Sequence, residues 1–484
     1  MRMLFSKMEK MGSNPNFGKE VLRRSPDFEL LSPADGSEEH FFIHRSGHKV
    51  RTDRLGRIIW ESLPGTAADV AAKIREGWNI SERLISEFLY VLLRAEIVRS
   101  SLSEEGGGRS EPRTDGKTRQ EDAREFCTGC GEGGGAKSVS VIVITRNGEE
   151  HIEGCLRSVF GQSCRNFEVI VVDNGSRDRT ARLVRDNFPG AKLHSLKKNI
   201  YFPGAVNYGI RQVEGDYFFI LNDDTELDTD CVFHLCRKMK TEEKAGAVAP
   251  MMKFYHMRGF INGIGNHIRN YGWGSDNFIG CVDIRQFSDL REVPSACFGA
   301  VFLNKTAVED VGLLDRRYTA YYEDIDWSFR CWLKGWRIVA APEARVYHKF
   351  GAFWKTMGRK LKFVVRNRLR LVLKLFKGKV RSGFLKSYIK EDVKSCLSLL
   401  KRKEFGLVAA YAKAYLSLAM GLPEIFFRRK KAARKRPGES CIRNILNKNP
   451  EWFSCLDEDN NPVIDVRMIF SYYRWEFNRF DKSG

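Results

Sequence analysis

Three continuous apolar runs alternate with helical stretches in the middle of this 484-residue chain. The runs are SVSVIVIT (138–145), FEVIVVD (167–173) and YFFILN (217–222). Strands without an alternating polar face are buried on both sides, and their alternation with helices is typical of a sheet that helices cover on both faces. The pattern therefore predicts an α/β domain over residues 138–358, built on a mainly parallel, Rossmann-like sheet.

Polar residues follow each of the three predicted strands. They are Thr145-Arg146-Asn147, Asp173-Asn174-Gly175-Ser176 and Asn222-Asp223-Asp224-Thr225. Ligands of parallel α/β sheets bind beyond the carboxyl ends of the strands. Each group alone is also typical of a turn, because Asn, Asp and Gly are common turn residues. Three such groups in succession indicate one polar crevice at a single edge of the sheet.

Two acidic clusters are candidates for chemistry. Asp223 and Asp224 follow an apolar strand, and adjacent carboxylates repel unless a cation such as a divalent metal ion lies between them. The alternative is a pair of solvated acids that cap a helix beginning near Asp228. Glu323-Asp324-Ile325-Asp326 opens another predicted helix. There the acids either complement the helix dipole, worth about 0.3–1 kcal/mol each, or supply a general base.

Seven motifs in one order give the chain a family resemblance. They are VSVIVITRN, FEVIVVDNGSRDRT, NIYFPGAVNYGI, GDYFFILNDDTEL, FGAVFLNKTAVEDVGLLDRRY, YYEDIDWSFR and RVYHKF. Over roughly residues 138–350 they resemble family 2 of the inverting glycosyltransferases, and within it the rhamnosyltransferase-like branch. The resemblance implies a GT-A fold and a nucleotide-sugar donor.

The resemblance also assigns roles to individual residues. It implies that Asp324 is the catalytic base, with Glu323 beside it, and that Asp224 and His348 hold Mg²⁺ or Mn²⁺. The donor-nucleotide contacts that it implies are Thr145, Asn147, Asp173, Asn199, Asn207 and Asp223. Two departures, Tyr201-Phe202-Pro203 before the matched Asn207 and Asn222 in place of a first Asp, concern the identity of the sugar.

The chain before the α/β domain divides by composition. Residues 1–40 are an N-terminal extension, and 101–137 are a Gly-rich flexible linker. It contains Cys127 and Cys130, interpreted as a chance pair, with half a metal site or a redox pair as the alternatives. Residues 41–100 predict a small α+β, winged-helix-like domain with strands at 41–43, 49–51 and 57–59 and helices at 66–75 and 81–93. This domain faintly resembles the PqqD-like family, which binds leader peptides. The alternative is an accessory domain with no peptide role.

The positive charge of the chain is concentrated in one segment. Residues 359–436 contain 24 Lys and Arg but 4 Asp and Glu, and the rest of the chain is balanced. This distribution disfavours a nucleic-acid-coating protein and predicts a basic amphipathic helical segment on an anionic membrane surface. A helix packed on the catalytic domain is the alternative. The apolar positions at helical spacing are Leu361, Val364, Val365, Leu369, Val372, Leu373 and Phe376. Because Lys413 interrupts the longest apolar run, no transmembrane helix is expected; residues 437–484 stay unassigned.

Together these features predict a metal-dependent inverting glycosyltransferase of cell-surface polysaccharide or glycoconjugate synthesis. The expected acceptor is a hydroxyl of a glycan, lipid-linked or peptide substrate, and the expected location is the cytoplasmic, inner face of the cytoplasmic membrane. The scattered cysteines suit a reducing compartment. The alternatives are transfer to a peptide recruited by the N-terminal domain, a non-catalytic peptide- or polyanion-binding protein, and a nucleotidyltransferase that releases pyrophosphate.

Overall fold

The computed structural model describes most of the chain from the first apolar run onward. The described residues are parts of 21–100, then 139–268, 274–283, 285, 287–349, 357–432, 439–447 and 464–465. Both Cys127 and Cys130 lie outside them.

Short antiparallel strands form the described part of the N-terminal region. They are β1 (Val21–Arg24), β2 (Phe28–Leu31), β3 (His40–His44), β4 (Lys49–Thr52), β5 (Gly65–Thr66) and β6 (Val98–Ser100). The predicted strands at 41–43 and 49–51 coincide with β3 and β4, but Ile59, placed in a third strand, is helical. The predicted helices at 66–75 and 81–93 lie largely outside the described residues. The resemblance to PqqD-like domains stays a prediction.

A nine-stranded sheet forms the centre of the molecule. Its order is β11-β17-β12-β16-β10-β7-β8-β9, and β13 pairs with β12. The strands, with the short hairpin β14–β15 beside the sheet, are β7 (Val139–Thr145), β8 (Phe167–Asp173), β9 (Ala191–Ser195), β10 (Tyr217–Asn222), β11 (Thr225–Leu227), β12 (Ala245–Phe254), β13 (Ile261–Gly263), β14 (Asn266–His267), β15 (Ser275–Asp276), β16 (Ala300–Asn304) and β17 (Arg337–His348).

The sheet is parallel in the half that the apolar runs predicted and mixed in the other half. Strands β7, β8, β9 and β10 are parallel, whereas β16 runs antiparallel to both β10 and β12. Strand β12 is again parallel to β17. The prediction of an α/β domain is confirmed, because β7 is buried along its whole length and helices lie between the first strands.

Helices cover both faces of this sheet. They are α1 (Ile152–Phe160), α2 (Thr180–Asn187), α3 (Phe202–Ile210), α4 (Cys231–Thr241), α5 (Lys305–Val311) and α6 (Glu323–Leu333). Alternate residues of β7 enter two separate cores: Val141 packs in the cluster with α1 and α4, and Ile142 packs in the cluster with α3. This two-sided burial explains why the first runs carry no polar face.

The basic segment folds into three long helices and not into one. They are α7 (Met357–Leu375), α8 (Gly378–Lys401) and α9 (Phe405–Ala432), followed by α10 (Glu439–Leu446) and by β18 (Ile464–Asp465), which pairs with β4. Leu361, Val365 and Leu369 of α7 are buried in a cluster that includes Tyr322 and Ile325 near the start of α6. The expectation that the apolar positions of α7 face a membrane is therefore wrong, since the protein itself buries that face.

In contrast to α7, helices α8 and α9 expose several large apolar side chains to solvent. Nine large side chains on these two helices are between 44% and 70% exposed: Ile389, Val393, Leu397, Leu400, Phe405, Leu416, Met420, Phe426 and Phe427. We call this set the α8–α9 face. By length and composition, the helical segment Phe405–Phe427 is also sufficient to cross a membrane. This differs from the sequence, from which no transmembrane helix was expected.

Candidate active site

The first part of the crevice is the loop that follows β7. The Thr145 hydroxyl donates a hydrogen bond to Asp223 Oδ2 at 2.5 Å, so the ends of β7 and β10 are tied together. A Cβ at Gly148 would lie 2.0 Å from the same Asp223 oxygen, and only glycine leaves this space free. Burial raises the pKa of Asp223 to about 7, and the charge of Asp224 adds to this effect.

Asp224 and His348 form what we call the metal side of the crevice. Strand β17 ends at His348, which pairs with Thr225, and this pairing brings His348 Nε2 to 3.4 Å from Asp224 Oδ2. Burial raises the pKa of Asp224, but the hydrogen bond and charge of His348 outweigh it and hold the pKa below its usual value. For His348, burial is outweighed by the hydrogen bond and charge of Asp224, so its pKa is raised.

The donor set at the metal side fits a divalent cation. Asp224 Oδ1 is buried and has no hydrogen-bond partner, which leaves a carboxylate oxygen free beside an imidazole nitrogen. A carboxylate with an imidazole suits Mn²⁺, and the carboxylate alone suits Mg²⁺. Within the described residues no group of three or more His, Cys, Asp or Glu side chains is arranged to hold a metal. Water and substrate phosphates commonly complete the coordination shell of such a cation.

The residues at the start of α6 form the remaining part of the crevice, which we call the base side. The chain reaches it through Thr319, Tyr321 and Tyr322, all with φ between 66° and 69°, a region that costs non-glycine residues energy. Asn367 of α7 donates from Nδ2 to three carbonyls of this loop, those of Tyr318, Ala320 and Tyr321, at 2.7–2.8 Å. Helix α7 therefore holds the strained loop that delivers Glu323 and Asp324.

Glu323 and Asp324 form a coupled pair of carboxyl groups. Burial, followed by the charge of Asp324, raises the pKa of Glu323 to about 8. Burial also raises the pKa of Asp324, although hydrogen bonds from Ile325 N (2.8 Å) and Asn266 Nδ2 (2.7 Å) oppose it. Both oxygens of Asp324 accept hydrogen bonds, whereas Glu323 Oε2 is buried without a hydrogen-bond partner, so the geometry favours Asp324 as the ionised member of the pair.

Asp326, the third acid of this cluster, has a structural environment. It is fully buried, with Arg330 at 2.9 Å, Lys374 at 2.7 Å and the Tyr318 hydroxyl at 3.0 Å. Burial raises its pKa, but the two cations outweigh burial and keep the pKa low. Its oxygens are engaged, so Asp326 is unsuited to proton transfer.

The other predicted nucleotide contacts have different surroundings. Asp173 Oδ1 accepts from Ser176 N at 2.9 Å, and Asn147 Oδ1 accepts from Arg177 N at 2.9 Å, so both shape the loop after β8. Asn199 Oδ1 accepts from Tyr201 N at 2.7 Å. Asn207 is 3% exposed and both ends of its carboxamide bond the Leu314 backbone, at 2.8 and 3.0 Å. A nucleotide contact by Asn207 would require these bonds to break.

Asp276 is a carboxylate of the crevice that the motifs did not include. It lies on β15, and its pKa is raised to about 7 by burial, with His348 and Lys360 opposing and Asp324 reinforcing the shift. Asp276 pairs with Asn266, whose side chain donates to Asp324, and it packs against Gly263, the neighbour of Asn262, which contacts His348. Asp276 therefore lies between the metal side and the base side. The stretch FINGIGNH, with polar residues among apolar residues and glycines, was the available signal for this region.

Comparisons with known proteins agree with the motifs. The model of the family described as Glycosyl transferase family 2 matches residues 140–312. The poly-beta-1,6-N-acetyl-D-glucosamine synthase of Staphylococcus aureus (strain COL) is 28% identical over 227 residues, which cover 45% of this chain and 52% of that protein. The chain thus spans about half the length of the curated relatives it matches.

Two solved structures are similar at low identity. The mannosyltransferase PcManGT from Pyrobaculum calidifontis, in complex with GDP-Man and Mn²⁺, is 14% identical, with 69% of this chain and 93% of that chain covered and a TM-score of 0.38. TarS of S. aureus is 16% identical, with 66% and 56% covered and a TM-score of 0.41.

Proposed function

We propose that this chain, whose residues 140–312 form a family 2 glycosyl transferase domain, is a metal-dependent inverting glycosyltransferase. It would move one sugar from a nucleotide-sugar donor to an acceptor hydroxyl of a glycan or lipid-linked substrate. The observation that carries the proposal is the juxtaposition across Asp276 of the Asp224–His348 pair and the Glu323–Asp324 pair, which contacts of residues 262–276 join.

The mechanism assigns a separate task to each side. Asp224 and His348 would hold the divalent cation, which when bound neutralises the diphosphate leaving group. Asp324 takes the proton of the acceptor hydroxyl, whose oxygen attacks the anomeric carbon from the face opposite the leaving group, with inversion. Each oxygen of Asp324 accepts a hydrogen bond from the protein, one from Asn266 Nδ2 and one from Ile325 N, which keeps the carboxylate oriented.

The proposal is tested with the full chain and a panel of UDP-, GDP- and dTDP-sugars. We expect release of the nucleoside diphosphate from one donor class with Mn²⁺ or Mg²⁺ and none with EDTA. Release of pyrophosphate would favour the nucleotidyltransferase alternative. Binding of nucleotide without release of any product, with glycan and lipid-linked acceptors supplied, would favour a non-catalytic protein.

We also propose that the α8–α9 face docks on the anionic inner face of the cytoplasmic membrane. Exposed apolar surface of this kind marks an interaction site. The exposed cations Lys386, Lys390 and Lys394 lie on α8 beside it, with Lys401, Arg402 and Lys403 at the turn to α9. Anionic lipid contributes about 1 kcal/mol for each Lys or Arg near the surface, which complements the apolar residues.

Vesicle sedimentation tests this docking. We expect the protein to bind vesicles containing phosphatidylglycerol and to bind neutral vesicles weakly. The double variant Leu397→Gln/Phe427→Gln should lose most of this binding, whereas the control Leu183→Gln, on α2, should retain it. Equal binding to both vesicle types, or none, would overturn the proposal. Protein that resists alkaline carbonate extraction from cell membranes would instead indicate that α9 spans the bilayer.

A further inference from the structure

Two buried asparagines lie four residues apart on one segment, and each contacts a different side of the crevice. Asn262 is on β13 and its Oδ1 lies 2.7 Å from His348 Nδ1. Asn266 is on β14 and its Nδ2 donates to Asp324 Oδ2 at 2.7 Å. The two residues are 2% and 7% exposed. Neither belongs to the motifs that indicated the site.

The contact at Asn262 decides which nitrogen of His348 carries the proton. A carboxamide oxygen only accepts, so Nδ1 must donate, and in the neutral ring the lone pair is then on Nε2. This is the nitrogen that lies 3.4 Å from Asp224 Oδ2, on the metal side. Partners that hold the second nitrogen of a metal-binding His fix its tautomer and ring orientation, and their loss typically costs about 10–100-fold in metal affinity or activity.

The contact at Asn266 acts on the ionised form of Asp324. A hydrogen bond donated to a carboxylate favours its charged form and lowers its pKa. It also orients the carboxylate, because the second oxygen already accepts from Ile325 N. The charged and titratable groups around Asp324 are Glu323 and Tyr322 at the start of α6, Asp276 on β15, and Cys297, and Lys360 on α7 acts on Asp276.

The segment that carries both asparagines is held firmly. Ile261 N donates to the Cys281 carbonyl at 2.8 Å, and Asn266 N donates to the Ser295 carbonyl at 2.9 Å. Between them Gly265 has φ +66°, and a Cβ there would lie 2.2 Å from the Ser295 oxygen. Residues 261–266 therefore have little freedom to move relative to the sheet.

We infer that Asn262 and Asn266 are positioning residues through which one rigid segment aligns the metal-binding His348 with the base Asp324. This inference rests on the proposed glycosyl transfer. The consequence is a separation of effects: Asn262 acts on cation and nucleotide binding, and Asn266 acts on proton transfer. A residue that merely supports the fold would affect both together.

The experiment measures two properties, the affinity for metal with nucleotide and the pH dependence of turnover, in each of two variants. Asn262→Ala should weaken the binding of Mn²⁺ with UDP or GDP by about 10–100-fold in calorimetric titration. Its pH dependence of turnover should stay as in the wild type. Asn266→Ala should leave that affinity unchanged and move the rise of kcat/KM to higher pH, because Asp324 loses a hydrogen bond that lowers its pKa.

Isosteric variants separate positioning from packing. Asn262→Asp keeps an acceptor for His348 Nδ1 and should regain metal affinity relative to Asn262→Ala. Asn266→Asp loses the donor and adds a charge, so it should move the pH profile further than Asn266→Ala. These two variants keep the native shape and give the same readouts if either alanine variant fails to fold.

Asn277 supplies the matched control. It is fully buried on the same hairpin, and its Oδ1 lies 2.7 Å from Nδ1 of His267, a histidine outside the proposed site. Asn277 Nδ2 also donates to the Ile264 carbonyl of the segment at 2.9 Å. Asn277→Ala should therefore lower thermal stability and affect metal affinity and the pH profile together, not one of them alone. If the Asn262 and Asn266 variants behave like this control, the inference is overturned while the proposed function stands. A wild type that neither binds Mn²⁺ with nucleotide nor turns over would instead remove the proposed function.

Discussion

The metal side and the base side of the crevice face one another across Asp276 but rest on different parts of the chain. Asp224 and His348 follow strands of the central sheet, and the pairing of β11 with β17 brings them together. Glu323 and Asp324 follow a strained loop, and Asn367 of α7 holds that loop in place. Strand pairing in the sheet therefore positions Asp224 and His348, whereas the helices that follow the sheet position Glu323 and Asp324.

The largest expected effect tests the metal side. Asp224→Ala removes the carboxylate whose Oδ1 is free, and we expect metal-dependent donor binding to be lost while the fold is retained. Calorimetric titration with Mn²⁺ and nucleotide measures the loss, and a circular-dichroism melt checks the fold. Asp186→Ala, on the exposed surface of α2, is the control. Unchanged affinity in Asp224→Ala would remove the metal assignment.

A variant on the base side should lose turnover but keep donor binding, the opposite of the variant on the metal side. Asp324→Asn keeps the shape of the side chain but accepts no proton, so turnover should fall by about 10²–10⁴-fold with donor affinity nearly preserved. Single-turnover kinetics with the donor identified in the screen measures this. Glu323→Gln, which resembles the protonated neighbour, should retain most of the activity. Near wild-type turnover in Asp324→Asn would move the role of base to Glu323.

The support of the base side by α7 predicts a stability difference between two leucines. Leu369 is 2% exposed in the cluster with Tyr322 and Ile325, and Leu397 is 56% exposed on α8. Leu369→Ala should lower the free energy of unfolding by about 2–5 kcal/mol. Leu397→Ala should change it by less than about 0.5 kcal/mol. Urea titration of both variants compares them, and equal losses would contradict the packing of α7 on the base side.

The most gradual expected effect is the dependence of stability on pH. Because the pKa of Glu323 is about 8 in the folded protein and near its ordinary value when unfolded, the folded state binds the extra proton between about pH 4.5 and 8. The Glu323 contribution to the free energy of unfolding should therefore fall as pH rises through this window, by at most about 1.4 kcal/mol per pH unit.

Glu323→Gln removes that contribution. The variant should gain stability relative to the wild type between pH 5.5 and 8, as followed by thermal melts. Glu343→Gln, on the exposed part of β17, should follow the wild type. A constant difference between Glu323→Gln and the wild type over this range would show that Glu323 does not hold the proton.

The sequence was sufficient for those parts of the fold that local pattern determines. Strands β7, β8 and β10 lie where the apolar runs predicted them. A run without a polar face is stable where both of its faces are buried, as they are in this sheet. The neighbourhood of Asp223, Asp224 and Thr145 follows from the shared edge of these strands. The roles of the individual site residues stay predictions.

Other parts depended on contacts between distant segments. Asp276, Asn262 and Asn266 lie in short irregular strands, which carry no strong periodicity. Leu361 of α7 and Leu397 of α8 both lie in the basic helical segment, yet one is buried and the other exposed. Only the position of the strained loop, which α7 must cover, distinguishes them, and no local pattern encodes that position.

The hydrogen bonds from Asn367 to the loop before α6 affect which segments of the gene could be exchanged by recombination. The segment that matches the family ends at residue 312, before Asp324, His348 and α7. A recombination event that transferred that segment alone would carry Asp223 and Asp224 but neither Asp324, the proposed base, nor Asn367, which holds the loop before it. If the proposed roles hold, inheritance of a working enzyme requires a longer block, through at least the asparagine of α7. We expect natural fusions and domain swaps to break the chain outside that block.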